Sequence, residues 1–287
     1  MTTSTELVVV TGASTGMGAA AARELAGRGF HVLAGVRRES DALRGPNLEP
    51  VILDITRPGE IEALAKRIEA DPAHRPLRAL VNNAGIAVNA PVETLPLDEW
   101  RRQFEVNLFG HIAVTQALMP ALLAASGRVV NISSVGGRIA MATYGAYAGT
   151  KFAFEAVSDS LRREVGPLGV RVVVVQPGGV STRMSARGIA TATELAGGMT
   201  DRQHDRYGPL VQAIIGQSAA MARTGLPAEK AGLVIARAVT DRRPRTRYTI
   251  GRDAALLTRL ARVLPDRLLD RILAANLRPH YPKAAAA

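Results

Sequence analysis

Cysteine is absent from the 287 residues, which excludes thiolate nucleophiles, disulfides, iron–sulfur clusters and cysteine-ligated zinc. The five histidines, His31, His74, His111, His204 and His280, show no ligand spacing, so no metal site is expected. Aromatic residues make up only 4% of the chain, leaving the basic residues without interleaved rings on which bases could stack. Lysine is scarce too: only Lys66, Lys151, Lys230 and Lys283 stand among 36 basic residues, and the net charge of +11 rests on arginine. From Arg237 onward 12 basic residues against 4 acidic ones supply +8 of that charge, a distribution that suits a solvated C-terminal surface better than a nucleic-acid site. No unbroken apolar run approaches the roughly 18 residues of a membrane-spanning helix, and the opening MTTSTE is polar. A soluble, cytoplasmic protein is expected.

What the chain does have is hydrophobic content of 47%, enough to bury one large core. Short β-branched runs alternate with longer helical stretches. The runs are Leu7 to Val10, His31 to Val36, Pro50 to Leu53, Ala79 to Val81, Arg128 to Ile132, Val170 to Gln176 and a weaker Arg247 to Ile250. Between them, Gly18 to Arg28, Gly59 to Ala70, Asp98 to Ala125 and Tyr147 to Val165 are each long enough for a crossover helix. Strands buried on both faces read as continuous apolar runs, as Val172 to Val175 does. The pattern predicts an α/β fold with a doubly wound parallel sheet of about seven strands, in a single domain over 1–287 with a C-terminal helical extension at 252–287 that ends in a frayed alanine run.

The first strand runs into TGASTGMG, and a helical pattern begins at Gly18. Gly12, Gly16 and Gly18 would let backbone approach a pyrophosphate while the helix presents free N–H groups and its positive dipole end. The loop residues Ser14, Thr15 and Met17 belong to the same turn. The spacing G-x-x-x-G-x-G differs from G-x-G-x-x-G.

With that spacing the chain resembles the short-chain dehydrogenase/reductase family of single-domain Rossmann-fold oxidoreductases, strongly over about 6–182 and loosely beyond. The resemblance implies that Asp54, in LDIT beside Ile55, holds the adenine, and that Asn82, Asn83, Ala84 and Gly85 lie beside the cofactor at the end of strand four. Asn107 matches the family's further asparagine, and Pro177 and Gly178, followed by Val180 and Thr182, match its turn after strand six. Open α/β sheets bind ligands at those carboxyl ends.

Two tyrosines precede Lys151. At about 1.5 Å per residue, Tyr147 is one turn from it, about 6 Å along the axis, whereas Tyr144 is about 10.5 Å away. Tyr147 is therefore the candidate, and Tyr144, ahead of Gly145, precedes the regular helix and is placed to line a pocket. Tyr-x-x-x-Lys alone fits an ordinary amphipathic helix; beside the glycine loop and the asparagine motif it reads as chemistry. A phenol near pKa 10 needs roughly 3 units, about 4 kcal/mol, of preferential phenolate stabilisation to work as a base near pH 7. An adjacent ammonium and an oxidised nicotinamide are charges of the right sign. Ser134 lies thirteen residues before Tyr147, the family's distance for its substrate-orienting serine, and Ser133 should face away if the strand persists that far. The resemblance implies that Tyr147 gives or takes the alcohol proton, Ser134 hydrogen-bonds the substrate oxygen, Lys151 holds the nicotinamide ribose and lowers the Tyr147 pKa, and Asn107 supports a proton relay through water. Gly149-Thr150 stands where family members commonly carry Ala-Ser, which bears on local packing.

After strand two, Val36 is followed by Arg37 and Arg38 with no acid, which favours NADP(H) over NAD(H), while Thr15 stands where some NADP-preferring relatives carry a basic residue. The stretch 180–226 is the expected substrate lid. Its Met184, Ile189, Leu195, Met199, Ile214, Ile215 and Met221, with Gly188, Gly197 and Gly198, suit a lipophilic alcohol or ketone, and the chain is similar to retinol and hydroxysteroid dehydrogenases. The plainer alternative is a packed helical flap. The basic RRPRTR at 242–247 and the amphipathic segment after it fit helices packed on the body or on another subunit, with contact to an anionic membrane surface as the lesser alternative. The resemblance further implies a homodimer or homotetramer. A non-catalytic dinucleotide sensor on the same fold is the rival from another class, against which the complete Ser134, Tyr147 and Lys151 set argues.

Overall fold

The computed structural model describes residues 5–282; the alanine run at 284–287 falls outside them. The apolar segments Leu7–Val10 (β1), His31–Val36 (β2), Leu48–Ile52 (β3), Leu77–Asn82 (β4), Arg128–Ile132 (β5), Arg171–Pro177 (β6) and Arg247–Ile250 (β7) form one sheet, ordered β3-β2-β1-β4-β5-β6-β7. Every neighbouring pair is parallel. The chain begins in the middle of the sheet, winds outward to β3, then returns to β4 and winds the other way, so the switch point lies between β1 and β4. A crevice opens there at the carboxyl ends of the strands.

Among the described residues ten α-helices supply the crossovers and the C-terminal layers: α1 (Gly16–Gly27), α2 (Pro58–Glu69), α3 (Leu97–Phe104), α4 (Gly110–Ala124), α5 (Gly145–Val165), α6 (Arg183–Gly197), α7 (Asp201–Thr224), α8 (Ala228–Thr240), α9 (Arg252–Val263) and α10 (Asp266–Leu277). On one face of the sheet, α1 and α8 cover Val8, Val10, Val32, Ala34, Val130 and Val173. On the other, α2, α4 and α5 cover Leu7, Val9, Leu33, Leu80, Val129 and Val172. Burying each such side chain fully stabilises the fold by roughly 1.5–3 kcal/mol. The alanines of α1 permit close packing: a Cβ on Gly232 of α8 would stand 2.9 Å from that of Ala20.

β3 starts two residues earlier than the apolar run suggests, because Leu48 and Glu49 pair with Val32 and Leu33. The stretch expected as a single helix is α3 and α4 joined by a π-helical turn at Glu105–Phe109. Together, Leu97–Ala124 form a 28-residue helix that by length and composition could cross a membrane. Here it is a layer of the fold, with Val114, Leu118 and Leu122 buried against the sheet. The two ends of the lid are tied together, since Val180 bridges Leu226, with Ser181 N donating to Leu226 O (3.0 Å) and Leu226 N to Gly179 O (3.0 Å). Between them, α6 and α7 form a helical hairpin. The segment from α10 to His280 packs on α7, where Leu277 joins Ala213 and Ile214 and Gln217 donates to Asn276 Oδ1 (2.8 Å).

Candidate active site

The loop after β1 is built to leave room above its backbone. Gly12 adopts φ +64°, and a Cβ there would lie 2.8 Å from Ala84 Cα. A Cβ on Gly18 would meet Asn83 Nδ2 at 2.3 Å and Gly12 O at 2.5 Å. Only glycine fits these positions. Asn83 fixes the loop from the β4 side, donating from Nδ2 to Thr11 O (2.9 Å) and Gly12 O (3.1 Å), while Thr11 Oγ1 accepts from the N–H groups of Asn83 (2.9 Å) and Ala84 (3.0 Å). Asn83 thus shapes the groove through its side chain. Asn82 turns inward instead, donating to Thr115 Oγ1 and Asn131 Oδ1, both at 2.9 Å. Thr15 caps the N-terminus of α1 with extended backbone and no side-chain bond to the helix, so the first N–H groups of α1 face the crevice. Gly16 approaches Thr182, where a Cβ would meet Cγ2 at 3.3 Å, so the glycine loop and the turn after β6 form the two walls of one groove.

At the far end of β2, Arg37 and Arg38 are exposed. Arg38 is engaged by Asp41, Nε to Oδ2 3.0 Å, an acid the sequence reading passed over. Asp54 accepts from the N–H (3.0 Å) and hydroxyl (2.7 Å) of Thr56. Burial pushes its carboxyl up, but those bonds and the charges of Arg37 and Arg57 leave it below the ordinary value. Ile55 is buried beside it.

Beyond the glycine loop lies a cleft of about 170 Å³ whose rim and walls include Met17, Ser134, Tyr144, Tyr147, Pro177, Gly178, Val180 and Thr182. α5 starts at Gly145 with Tyr144 as its N-cap, so Tyr144 stands outside the regular helix and still lines the cleft. Its hydroxyl meets Ser218 Oγ of α7 at 3.3 Å, and its ring sits edge-on to Tyr147, centroids 6.2 Å apart. Tyr147 and Ser134 line the cleft together, and the Ser134 side chain favours the Tyr147 phenolate. Ser134 Oγ accepts from Gly136 N (2.9 Å), which leaves its own proton available to donate.

Lys151 lies one turn on, 5% exposed, with Nζ donating to Ile132 O (3.0 Å) and placed 5.9 Å from the centre of the Tyr147 ring. Burial draws the Lys151 ammonium down to about 8, against the pull of Glu155. For Tyr147 the sign differs from the expectation that Lys151 lowers its pKa: burial raises the phenol, and the Ser134 side chain offsets this only in part. The physical reason is that the phenolate would be desolvated and Nζ, held by Ile132 O, makes no direct bond to it.

Ser133 borders the cleft, but its N–H continues the ladder to Val175 O (2.8 Å) and its Oγ is turned into the interior, 2.6 Å from where a Cβ on Gly137 would stand and without a hydrogen-bond partner among the described residues. Asn107, carried on the π-helical turn, spends its amide on the loop after β4: Nδ2 donates to Ile86 O (2.9 Å) and Oδ1 accepts from Ile86 N (2.9 Å). Nδ2 also reaches Thr150 Oγ1 (3.3 Å), which in turn donates to Tyr147 O (2.7 Å). Thr150 therefore couples the Asn107 turn to the helix that carries Tyr147. Gly149 leaves room for a methyl, since a Cβ would meet Phe104 at 3.5 Å.

His111 is a neighbour the sequence reading missed. It is fully buried, bonds Ala84 O through Nε2 (2.8 Å) and stacks on Phe154 at 4.9 Å, the ring over which Lys151 Nζ also sits. Burial, with Lys151 nearby, pushes it down to about 3, so it is neutral. It holds Ala84 from below while Asn107 holds Ile86. Of the lid side chains, Met184, Ile189, Ile214, Ile215 and Met221 reach the cleft. Leu195 packs with Val88 and Ala90 instead, and Met199 does not reach the cleft, lying at the turn between α6 and α7. Among the described residues no group of acids and histidines could hold a metal.

A groove of glycine backbone beside Ser134, Tyr147 and the buried Lys151, on a sheet of this order, defines a Rossmann-type dinucleotide-binding fold. Residues 6–192 match the model of the short chain dehydrogenase family. The chain is 38% identical over 285 residues to retinol dehydrogenase 5 of Mus musculus, covering 93% of this chain and 87% of that protein. It is 30% identical over 280 residues to an NADPH-dependent 3-dehydrocapnine reductase of Ornithobacterium rhinotracheale, covering 94% and 96%. A short chain dehydrogenase of Burkholderia cenocepacia solved in complex with NADP superposes with a TM-score of 0.72 at 25% identity, covering 94% and 96%. The chain belongs to the short-chain dehydrogenase/reductase family. With that membership and this groove it is an oxidoreductase that uses NAD(P)(H).

Proposed function

We propose that the protein interconverts a lipophilic alcohol and its ketone with NADP(H), Tyr147 serving as general acid and base. The observation that carries this reading is the convergence of Tyr147, Ser134 and the buried Lys151 at a cleft whose remaining wall is largely the apolar lid. The glycine loop, Asn83 and Thr182 would hold the dinucleotide, and when bound it supplies the hydride. Ser134 donates to the substrate oxygen, since its acceptor capacity is partly taken by Gly136 N. Tyr147 passes a proton to that oxygen in reduction and takes it in oxidation. Lys151 Nζ, 5.9 Å from the centre of the Tyr147 ring, would hold the cofactor ribose, while Ser134 favours the phenolate against the burial that raises the phenol. Asn107 acts as a positioning residue, because both atoms of its amide are committed to Ile86 and its turn is linked through Thr150 to Tyr147. A purely dinucleotide-sensing protein would have no use for Ser134, Tyr147 and Lys151 converging on one cleft.

NADP(H) preference rests on the arginines after β2. Among the described residues Arg37 carries no carboxylate bond, whereas Arg38 is shared with Asp41. The NADPH-dependent relative and the NADP complex of the structural neighbour support this choice. Fluorescence titration should show NADPH binding at least about tenfold more tightly than NADH, the value of roughly one charge-assisted hydrogen bond. Arg37→Ala should remove most of that ratio while leaving NADH affinity unchanged; NADH binding more tightly in the parent protein would defeat the assignment.

The lipophilic substrate class rests on Met184, Ile189, Ile214, Ile215 and Met221, and the retinol dehydrogenase relatives support it. Flexible methionines fill irregular apolar space. Monitoring NADPH consumption across a panel of ketones and aldehydes should find turnover concentrated among lipophilic members. Turnover confined to small sugars or hydroxy acids would refute the substrate class and leave the chemistry of Tyr147 standing.

A further inference from the structure

The opposite end of the sheet carries a feature the reaction does not use. Three adjacent strands carry an arginine at their amino ends, Arg78 as the second residue of β4 and Arg128 and Arg171 as the first of β5 and β6, with Arg128 in register between Ala79 and Arg171. Neighbouring parallel strands lie about 4.8 Å apart, and like charges side by side on them are destabilising. Arg242, from the RRPRTR segment, completes the ring, its carbonyl accepting from Arg171 Nη1 (2.6 Å). The four arginines surround a cleft of about 230 Å³ to which Ser126 adds a hydroxyl, and no acidic residue lines it.

Other partly buried arginines of this chain meet carboxylates. Arg67 and Arg75 share Asp71, and Arg138 and Arg247 share Glu155. Those around the cleft do not. Arg128, 3% exposed, spends its guanidinium on the carbonyls of Ala238 and Asp241 at the end of α8 and makes no bond to a carboxylate among the described residues. Arg78 Nε is buried and has no hydrogen-bond partner among the described residues. The adjacent Asp241 carboxylate is bound by the Tyr248 hydroxyl (2.6 Å). Burial, with the charges of Arg78 and Arg171, draws Arg128 down to about 10, against the pull of Tyr248 and Asp241.

We propose that this cleft is a binding site for a phosphate group, free or esterified, at the amino ends of β4, β5 and β6, the end of the sheet opposite the catalytic groove. Guanidinium forks match a tetrahedral dianion bidentately, and an arginine with an orphaned buried N–H is what such an anion would satisfy. The site is independent of the Tyr147 chemistry.

The test uses the full chain with saturating NADPH, so that the glycine loop is filled, and follows inorganic phosphate at matched ionic strength by calorimetry and thermal unfolding. Phosphate, but not chloride, should bind saturably and raise Tm. An Arg78→Gln, Arg242→Gln double variant should weaken that binding about tenfold or more, with unchanged circular dichroism and NADPH turnover. Sedimentation with phosphatidylcholine vesicles, with and without phosphatidic acid, identifies the source: binding that needs phosphatidic acid and the same two arginines assigns the site to a lipid headgroup, and phosphate binding without it assigns a free or soluble ester. Absence of saturable binding in both arms, or binding of equal strength in the double variant, overturns the proposal.

Discussion

Replacing Tyr147 by phenylalanine should lower kcat/KM for ketone reduction by roughly 10²–10⁴-fold while leaving the Kd for NADPH within a factor of about two. The size follows from what one positioned acid contributes to proton transfer, about 3–5 kcal/mol of barrier at 1.36 kcal/mol per decade. Phenylalanine keeps the ring, and with it the packing beside Tyr144 and over Lys151 Nζ. It removes only the hydroxyl, on which the Ser134 side chain acts. Thermal unfolding should therefore change little. Steady-state kinetics paired with fluorescence titration separates the two quantities, and a variant retaining more than about a tenth of parental turnover would remove Tyr147 from the proton path.

The second large effect is expected at Gly12. Its φ of +64° costs a side chain about 1–2 kcal/mol, and its Cβ would press on the Ala84 backbone at 2.8 Å, an overpacking worth another 1–3 kcal/mol. Gly12→Ala should lose about 2–5 kcal/mol and lower Tm on the order of 10 °C. It should also weaken NADPH by more than tenfold, because relief of the clash must move either the glycine loop or the Ala84 segment that Thr11 and His111 hold. Gly59→Ala is the control: it lies in α2 with nothing within 4 Å of a Cβ, and helix propensity makes it neutral or stabilising by up to about 1 kcal/mol. Equal behaviour of the two variants in calorimetry and titration would contradict the groove as described.

Much of this architecture was legible because buried parallel strands announce themselves as apolar runs. β1, β2, β5 and β7 begin and end where the sequence placed them. β3, at the sheet edge and carrying Glu49 and Pro50, lacks that signature and was misplaced by two residues at its start. The π-helical turn under Asn107 escaped because one extra residue in a turn barely disturbs periodicity. The one-turn spacing of Tyr147 and Lys151 was readable from helix geometry, whereas the direction of the Tyr147 shift was not, since it depends on burial that only the packed structure reveals. His111 read as an isolated histidine; its position beneath Ala84 is a tertiary fact. The arginines at 78, 128 and 171 are scattered in sequence and become neighbours only through strand register.

The claim on which the functional reading turns is that Tyr147 protonates a carbonyl oxygen while the carbon receives hydride directly from NADPH in the adjoining groove. Incubating the protein with NADPH deuterated at the transferable C4 position and a turned-over ketone, then locating the label by mass spectrometry and NMR, tests it most directly. The expected product carries deuterium on the carbinol carbon and solvent hydrogen on its oxygen. A carbinol carbon bearing solvent hydrogen would contradict direct transfer at this site.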